Sequence, residues 1–129
     1  IAMGYPIQDL GSPNLVITSG SVSALTGPSG DSRLIQFTAP IQPGSSGGPI
    51  LLASNEVAGD VTGTLLPMQL DNGSLFLPQN VNYAVRSETI NTFLRSNDVT
   101  VEDSWFRQFN RPAPESAVVK LSCRPLDDK

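Results

Sequence analysis

Apolar and polar positions alternate through much of the first two thirds of the chain. Leu15-Val16-Ile17-Thr18-Ser19-Gly20-Ser21-Val22-Ser23-Ala24-Leu25 is β-branched and alternating, and predicts a strand with a bend or bulge at Gly20. Turn chemistry precedes it at Gly11-Ser12-Pro13-Asn14 and follows it at Gly27-Pro28-Ser29-Gly30-Asp31. Arg33-Leu34-Ile35-Gln36-Phe37-Thr38 predicts a second strand and Ile50-Leu51-Leu52 a short buried one. Ser54-Asn55 reads as a hairpin turn into a strand from Glu56 to Thr64. Leu75-Phe76-Leu77 and Asn82-Tyr83-Ala84-Val85 are further short strands. The opening Ile1-Ala2-Met3-Gly4 reads like the middle of a strand, and suggests a piece of a longer chain. Many short strands divided by turns predict an all-β sandwich or barrel.

One helix interrupts this pattern. Ile90, Phe93 and Leu94 form one apolar face at helical spacing. Ser87 is the expected N-cap, Glu88 complements the positive end of the helix dipole, and Asn97 is the expected stop. Beyond about residue 98 the pattern loosens. Glu102 to Arg107 reads as either a short helix or a loop, Arg111-Pro112-Ala113-Pro114-Glu115 as a linker, and Ala117 to Cys123 as an alternating strand. The expected division is residues 1–97 as one domain closed by the helix, and 98–129 as a linker with an extra strand and a polar tail.

Composition changes the picture mainly through what is missing. The 129 residues suit one domain, and contain no histidine and a single cysteine. Those counts leave no zinc site of the Cys/His kinds, no internal disulfide, and no nucleophile–histidine pair within the chain. No metal site and no cofactor is expected. The net charge of −4 and the lack of a basic stripe argue against nucleic acid or an anionic membrane as partner. No apolar run approaches the roughly 20 residues of a membrane span.

The chemistry concentrates in Gly44-Ser45-Ser46-Gly47-Gly48-Pro49. A flexible Gly/Ser connection is one reading. A serine nucleophile loop is the other. A nucleophilic serine needs a tight turn that projects its hydroxyl and aims backbone N–H groups at a developing oxyanion. Gly44 would allow that turn, and Ser46 would supply the hydroxyl and an N–H. Gly47 and Gly48 would permit close approach, and Pro49 would start a strand where a missing N–H does no harm. A strand follows the motif, unlike the serine elbow that precedes a helix in α/β-hydrolases.

This motif resembles the nucleophile loop of trypsin-like serine proteases, and its flanks resemble the bacterial HtrA (DegP) type. Ile1 to Pro6 is similar to that family's strand ending in a Gly-x-Pro turn, and Val16 to Leu25 to its next strand. Ile35 to Gly44 is similar to the approach to the serine, Val57 to Thr62 to the cleft-lining strand, and Val81 to Ser87 to the segment before the closing helix. The likeness covers about residues 1–97 in order. It implies an antiparallel Greek-key six-stranded β-barrel, the C-terminal half of a chymotrypsin-like double barrel, with one C-terminal α-helix. The triad histidine and aspartate would then belong to a missing N-terminal barrel.

The resemblance implies a serine-type endopeptidase that forms an acyl-enzyme at Ser46. Its oxyanion hole would use backbone N–H groups of Gly44 and Ser46, with Ser45 between them. Pro40 would sit at the base of the primary specificity pocket; without a carboxylate there, a small or medium apolar side chain suits the site better than Arg or Lys. Thr62, Gly63 and Thr64 would pair with an extended peptide or unfolded-protein substrate, and Val81 would help shape the pocket. Family habit places such proteins in the cell envelope or periplasm, or outside the cell. Thr38, Pro40, Gln42 and Ser45 depart from the family pattern, and residues 65–80 are longer and less family-like.

Two other functions fit the same residues. A trypsin-fold protein without catalysis would use the cleft to bind peptide, and an unrelated β-rich module would use the Gly/Ser segment as a linker. Elsewhere, Cys123 reads as a small buried hydrophobe, and Trp105, Phe106 and Phe109 as a cluster packing a tail onto the barrel, with a binding patch as the alternative. Asp60 reads as a solvent-facing or cleft-lining strand residue. Glu102-Asp103 forms no glycosidase pair, and Asp127-Asp128 ends a solvated tail.

Overall fold

A computed structural model describes residues 1–6, 14–76, 78–101 and 113–121. Expectations for Trp105, Phe106, Phe109, Glu102-Asp103, Cys123 and Asp127-Asp128 lie outside the described residues.

The protein is mostly β. Its strands are β1 (Ala2–Gly4), β2 (Val16–Thr18), β3 (Val22–Ala24), β4 (Leu34–Phe37), β5 (Pro49–Leu51), β6 (Val57–Thr64), β7 (Met68–Gln69), β8 (Leu75–Phe76) and β9 (Asn82–Arg86). One helix, α1 (Ser87–Ser96), follows β9 directly. Seven strands form an antiparallel sheet in the order β2-β1-β5-β6-β9-β4-β3, and β7 pairs with β8 as a separate ribbon.

The sheet is curled. Ala2 on β1, Ile35 and Phe37 on β4, Ile50 on β5, Val61 on β6 and Ala84 on β9 share one buried cluster with Ala39. In a flat sheet β1 and β4, four steps apart in the order, would be separated by about 19 Å. Only curling brings Ala2 and Phe37 into one core. Alternation explains which residues enter it: Ile35 and Phe37 point inward, while Leu34 and Gln36 are only half-buried.

The sheet has seven strands in place of the expected six, because the segment from Val16 to Ala24 is divided at Ser19-Gly20-Ser21. Gly20 lies directly against the backbone of Thr38 and Ala39, where a Cβ would collide. Thr18 Oγ1 donates to the Pro40 carbonyl at 2.8 Å, and Thr38 N–H donates to the Ser21 carbonyl at 3.0 Å. The chain therefore crosses the Thr38–Pro40 segment at a bend, with β2 paired to β1 on one side and β3 to β4 on the other.

Three local expectations are corrected. Ser87 is the first helical residue; Arg86, still extended, occupies the N-cap without a side-chain cap. Ile90 and Leu94 are half-buried, whereas Phe93 is 63% exposed, so the apolar helix face is only partly covered. Pro114–Ala117 is a 3-10 turn and residues 118–121 belong to no strand. Pro114 favours that turn with its fixed φ, and Ser116 Oγ donates back to the Ala113 carbonyl at 2.8 Å.

Candidate active site

The segment between β4 and β5 is a sequence of tight turns. Gly44 has φ +98° and Gly47 φ +82°, both in the left-handed region that side chains resist. Ser45 N–H donates to the Gln42 carbonyl at 2.9 Å, and Gly48 N–H donates to the Ser45 carbonyl at 3.0 Å. These bonds make a folded loop, not a free Gly/Ser tether.

The loop is fixed from two sides. Gly48 rests on the Met3 carbonyl of β1, where a Cβ has no room, and Gly4 faces Ser45, where a Cβ would stand 2.9 Å from its Cα. On the other side Gly47 N–H donates to the Val61 carbonyl and Val61 N–H to the Gly48 carbonyl, each at 2.9 Å. Ser45 is consequently buried, and Ser46, the next residue, is exposed. Alternation through a pinned turn thus sends one serine inward and the other outward.

The Ser45 N–H, between the two expected oxyanion donors Gly44 and Ser46, donates to the Gln42 carbonyl. The N–H groups of Gly44 and Ser46 donate to no group of the protein among the described residues, and the Ser46 hydroxyl has no partner there. Ser46 opens onto a cavity of about 480 Å³, walled by the Gly44–Gly48 loop, Gly4 to Pro6, and Val118 to Leu121.

The other expected site residues fall into two groups. Pro40 lines a smaller cavity of about 120 Å³ with Met3, Val16 and Ser45, a cavity that Ser46 does not line. Thr62, Gly63 and Thr64 continue β6 past Val61. The β5–β6 ladder ends at Pro49 and Asp60, so no strand pairs with Thr62 to Thr64 on that side among the described residues. Thr64 Oγ1 and Leu65 N–H both donate to the Val81 carbonyl, at 3.1 and 2.8 Å. The Val81 carbonyl therefore lies on the side of β6 that pairs with β9.

Two polar residues matter here: Asn82, which the sequence did not single out, and Asp60, read from sequence as solvent-facing or cleft-lining. Asn82 is buried on β9, and its Nδ2 donates to the Ala39 carbonyl at 2.8 Å, anchoring the segment that leads to the loop. Its only signal was a polar residue two positions before the core-facing Ala84. Asp60 is half-buried in β6, and its Oδ1 is fully buried without a hydrogen-bond partner. Burial pushes its carboxyl above the ordinary value of 3.8. Among the described residues no group of His, Cys, Asp and Glu is placed to hold a metal ion.

Residues 1–59 match the family of the trypsin-like peptidase domain. The match supports a trypsin-like fold. It spans the whole Ser46 loop and points to the peptidases. Over 97 residues the chain is also 38% identical to an uncharacterised protein, y4bJ, of Sinorhizobium fredii. That similarity covers 75% of the chain but only 15% of the length of y4bJ.

Proposed function

We propose that Ser46 is the nucleophile of a serine-type endopeptidase of the HtrA type, and that this chain is the C-terminal half of its catalytic domain. The observation that carries the reading is the unpartnered state of three groups on one pinned turn: the Ser46 hydroxyl and the N–H groups of Gly44 and Ser46. Gly44 and Ser46 are both exposed and line the same open cavity.

The chemistry follows from that arrangement. Ser46 Oγ attacks the carbonyl carbon of a peptide bond while a base takes its proton. The N–H groups of Gly44 and Ser46 stabilise the oxyanion, and expulsion of the amine leaves an acyl-enzyme that water hydrolyses. With no histidine in the chain, the base and its orienting aspartate are assigned to an N-terminal barrel outside these residues. A peptide or unfolded protein would lie extended along the open edge of Thr62 to Thr64. Among the described residues the cavity at Ser46 is lined by no carboxylate to receive a basic side chain, so cleavage after small or medium apolar residues is favoured.

In this reading β2 and β3 are halves of one strand bent at Gly20, which closes a six-stranded Greek-key barrel. The β7–β8 ribbon is then an insertion between β6 and β9. Residues 1–97 form the barrel with its helix, and 98–129 a linker and polar tail. The location is the cell envelope or beyond it.

The test is hydrolysis of an unfolded polypeptide by the longer protein that contains this chain. Cleavage should disappear in Ser46→Ala. Retained cleavage removes Ser46 from the role, while a wild-type protein that binds peptide without cleaving it supports a binding function instead.

A further inference from the structure

The wall of the Ser46 cavity opposite the loop comes from more than seventy residues away in sequence. Val118, Val119, Lys120 and Leu121 close the space that Ser46 and Gly44 open. This segment leaves the Pro114–Ala117 turn and is tied to the β1 side of the cavity, where Tyr5 Oη donates to the Val118 carbonyl at a long 3.5 Å. It is lightly held: Val118 is half-buried, but Val119 is 69% and Leu121 87% exposed. Among the described residues it joins no sheet.

A general base must come within about 2.6–3.2 Å of the serine oxygen. Val118 to Leu121 line the same cavity of about 480 Å³ as Gly44 and Ser46, so a base or a peptide that enters it meets this segment.

We propose that Val118 to Leu121 is a displaceable strap over the nucleophile, admitting small molecules and excluding polypeptide until it swings aside. The proposal deepens the reading of Ser46 as nucleophile and rests on it for its purpose. Weak attachment is what suits the segment to the role. A strap packed into the core would close the site permanently, whereas one half-buried valine and one long hydrogen bond allow opening at modest cost.

The test needs no catalysis, so it stands apart from the test of the peptidase reading. The full chain carries Ser46→Cys in a Cys123→Ser background, and its thiol is alkylated with iodoacetamide and with a bulky polymer-linked maleimide. The strap predicts ready reaction with iodoacetamide and slow reaction with the bulky reagent. Val118→Asp, which places a charge in the half-buried position, should accelerate the bulky reagent by about fivefold or more, the factor that loss of one modest closing interaction gives. The iodoacetamide rate should hardly change. An equal rise for both reagents marks general unfolding, and Tyr5→Phe then decides: selective acceleration of the bulky reagent supports the strap, and its absence overturns it. Unchanged rates for both reagents in both variants also overturn it.

Discussion

The N–H of Gly47 donates to the carbonyl of Val61 at 2.9 Å. These residues adjoin Ser46 on one chain segment and Thr62 on the other. One bond therefore sets the spacing between the candidate nucleophile and the open strand edge beside it. Its return partner, Val61 N–H to the Gly48 carbonyl, makes the link a two-point clamp. Any change that lifts the loop from β6 should alter both features together.

Gly48 offers the sharpest steric test of that clamp. A Cβ there meets the Met3 carbonyl oxygen and lies 3.0 Å from the Ser45 carbonyl oxygen. Both are backbone atoms, so neither can rotate away. Gly48→Ala should cost about 2 kcal/mol or more, measured as a fall in the urea midpoint. Gly63→Ala on β6 meets nothing within 4 Å and should change stability by less than about 0.5 kcal/mol. Equal effects at the two positions would contradict the packing described.

Asn82→Ala removes the donor to the Ala39 carbonyl while the site stays buried. Leaving that acceptor unsatisfied should destabilise the protein by about 1–3 kcal/mol in equilibrium unfolding. A loss within experimental error would mean that water replaces the amide and that Asn82 does not anchor the segment.

Much of this architecture was legible in sequence, and the exceptions have physical causes. The inward alternation of Ile35 and Phe37 marked β4, and Gly20 marked the bend that divides β2 from β3. The Ser46 turn was legible because its glycines specify backbone conformation directly. By contrast β7 left no alternation to read, since Met68 and Gln69 are both exposed. The pattern at Ala117 to Leu121 suggested a strand, but alternation there matches no buried face, and the Pro114 turn prevails. The bond from the Ser45 N–H to the Gln42 carbonyl depends on turn geometry, which residue identity does not encode.

Asp60 predicts a pH signature. Its carboxyl titrates above 3.8, so from 3.8 upward to its raised value the folded state holds more protons than the unfolded state. Stability from this group is therefore lost as pH rises through that window. Asp60→Asn removes the penalty and should raise the melting temperature at neutral pH, with the gain shrinking as pH falls below 3.8. A variant less stable than wild type at neutral pH would show that the charge has a partner in solution.

Asp31 should behave in the opposite sense. Arg33 binds it through Nε at 3.0 Å, Nη2 at 2.7 Å and its backbone N–H at 2.9 Å. These bonds hold the carboxyl down to about 2. Its stabilisation is present above 3.8 and is lost as pH falls toward about 2. A carboxyl titration followed by NMR should place Asp31 near 2 in wild type and return it toward 3.8 in Arg33→Gln. An unchanged midpoint would remove Arg33 as the cause.

The central claim is that Ser46 is a nucleophile completed by a base from outside this chain. The most direct measurement is the site of covalent labelling by a fluorophosphonate, mapped by peptide mass spectrometry on the longer protein. The account predicts one adduct, on Ser46, absent in Ser46→Ala and absent when residues 1–129 are treated alone. An adduct on another serine, or labelling that survives Ser46→Ala, would contradict it.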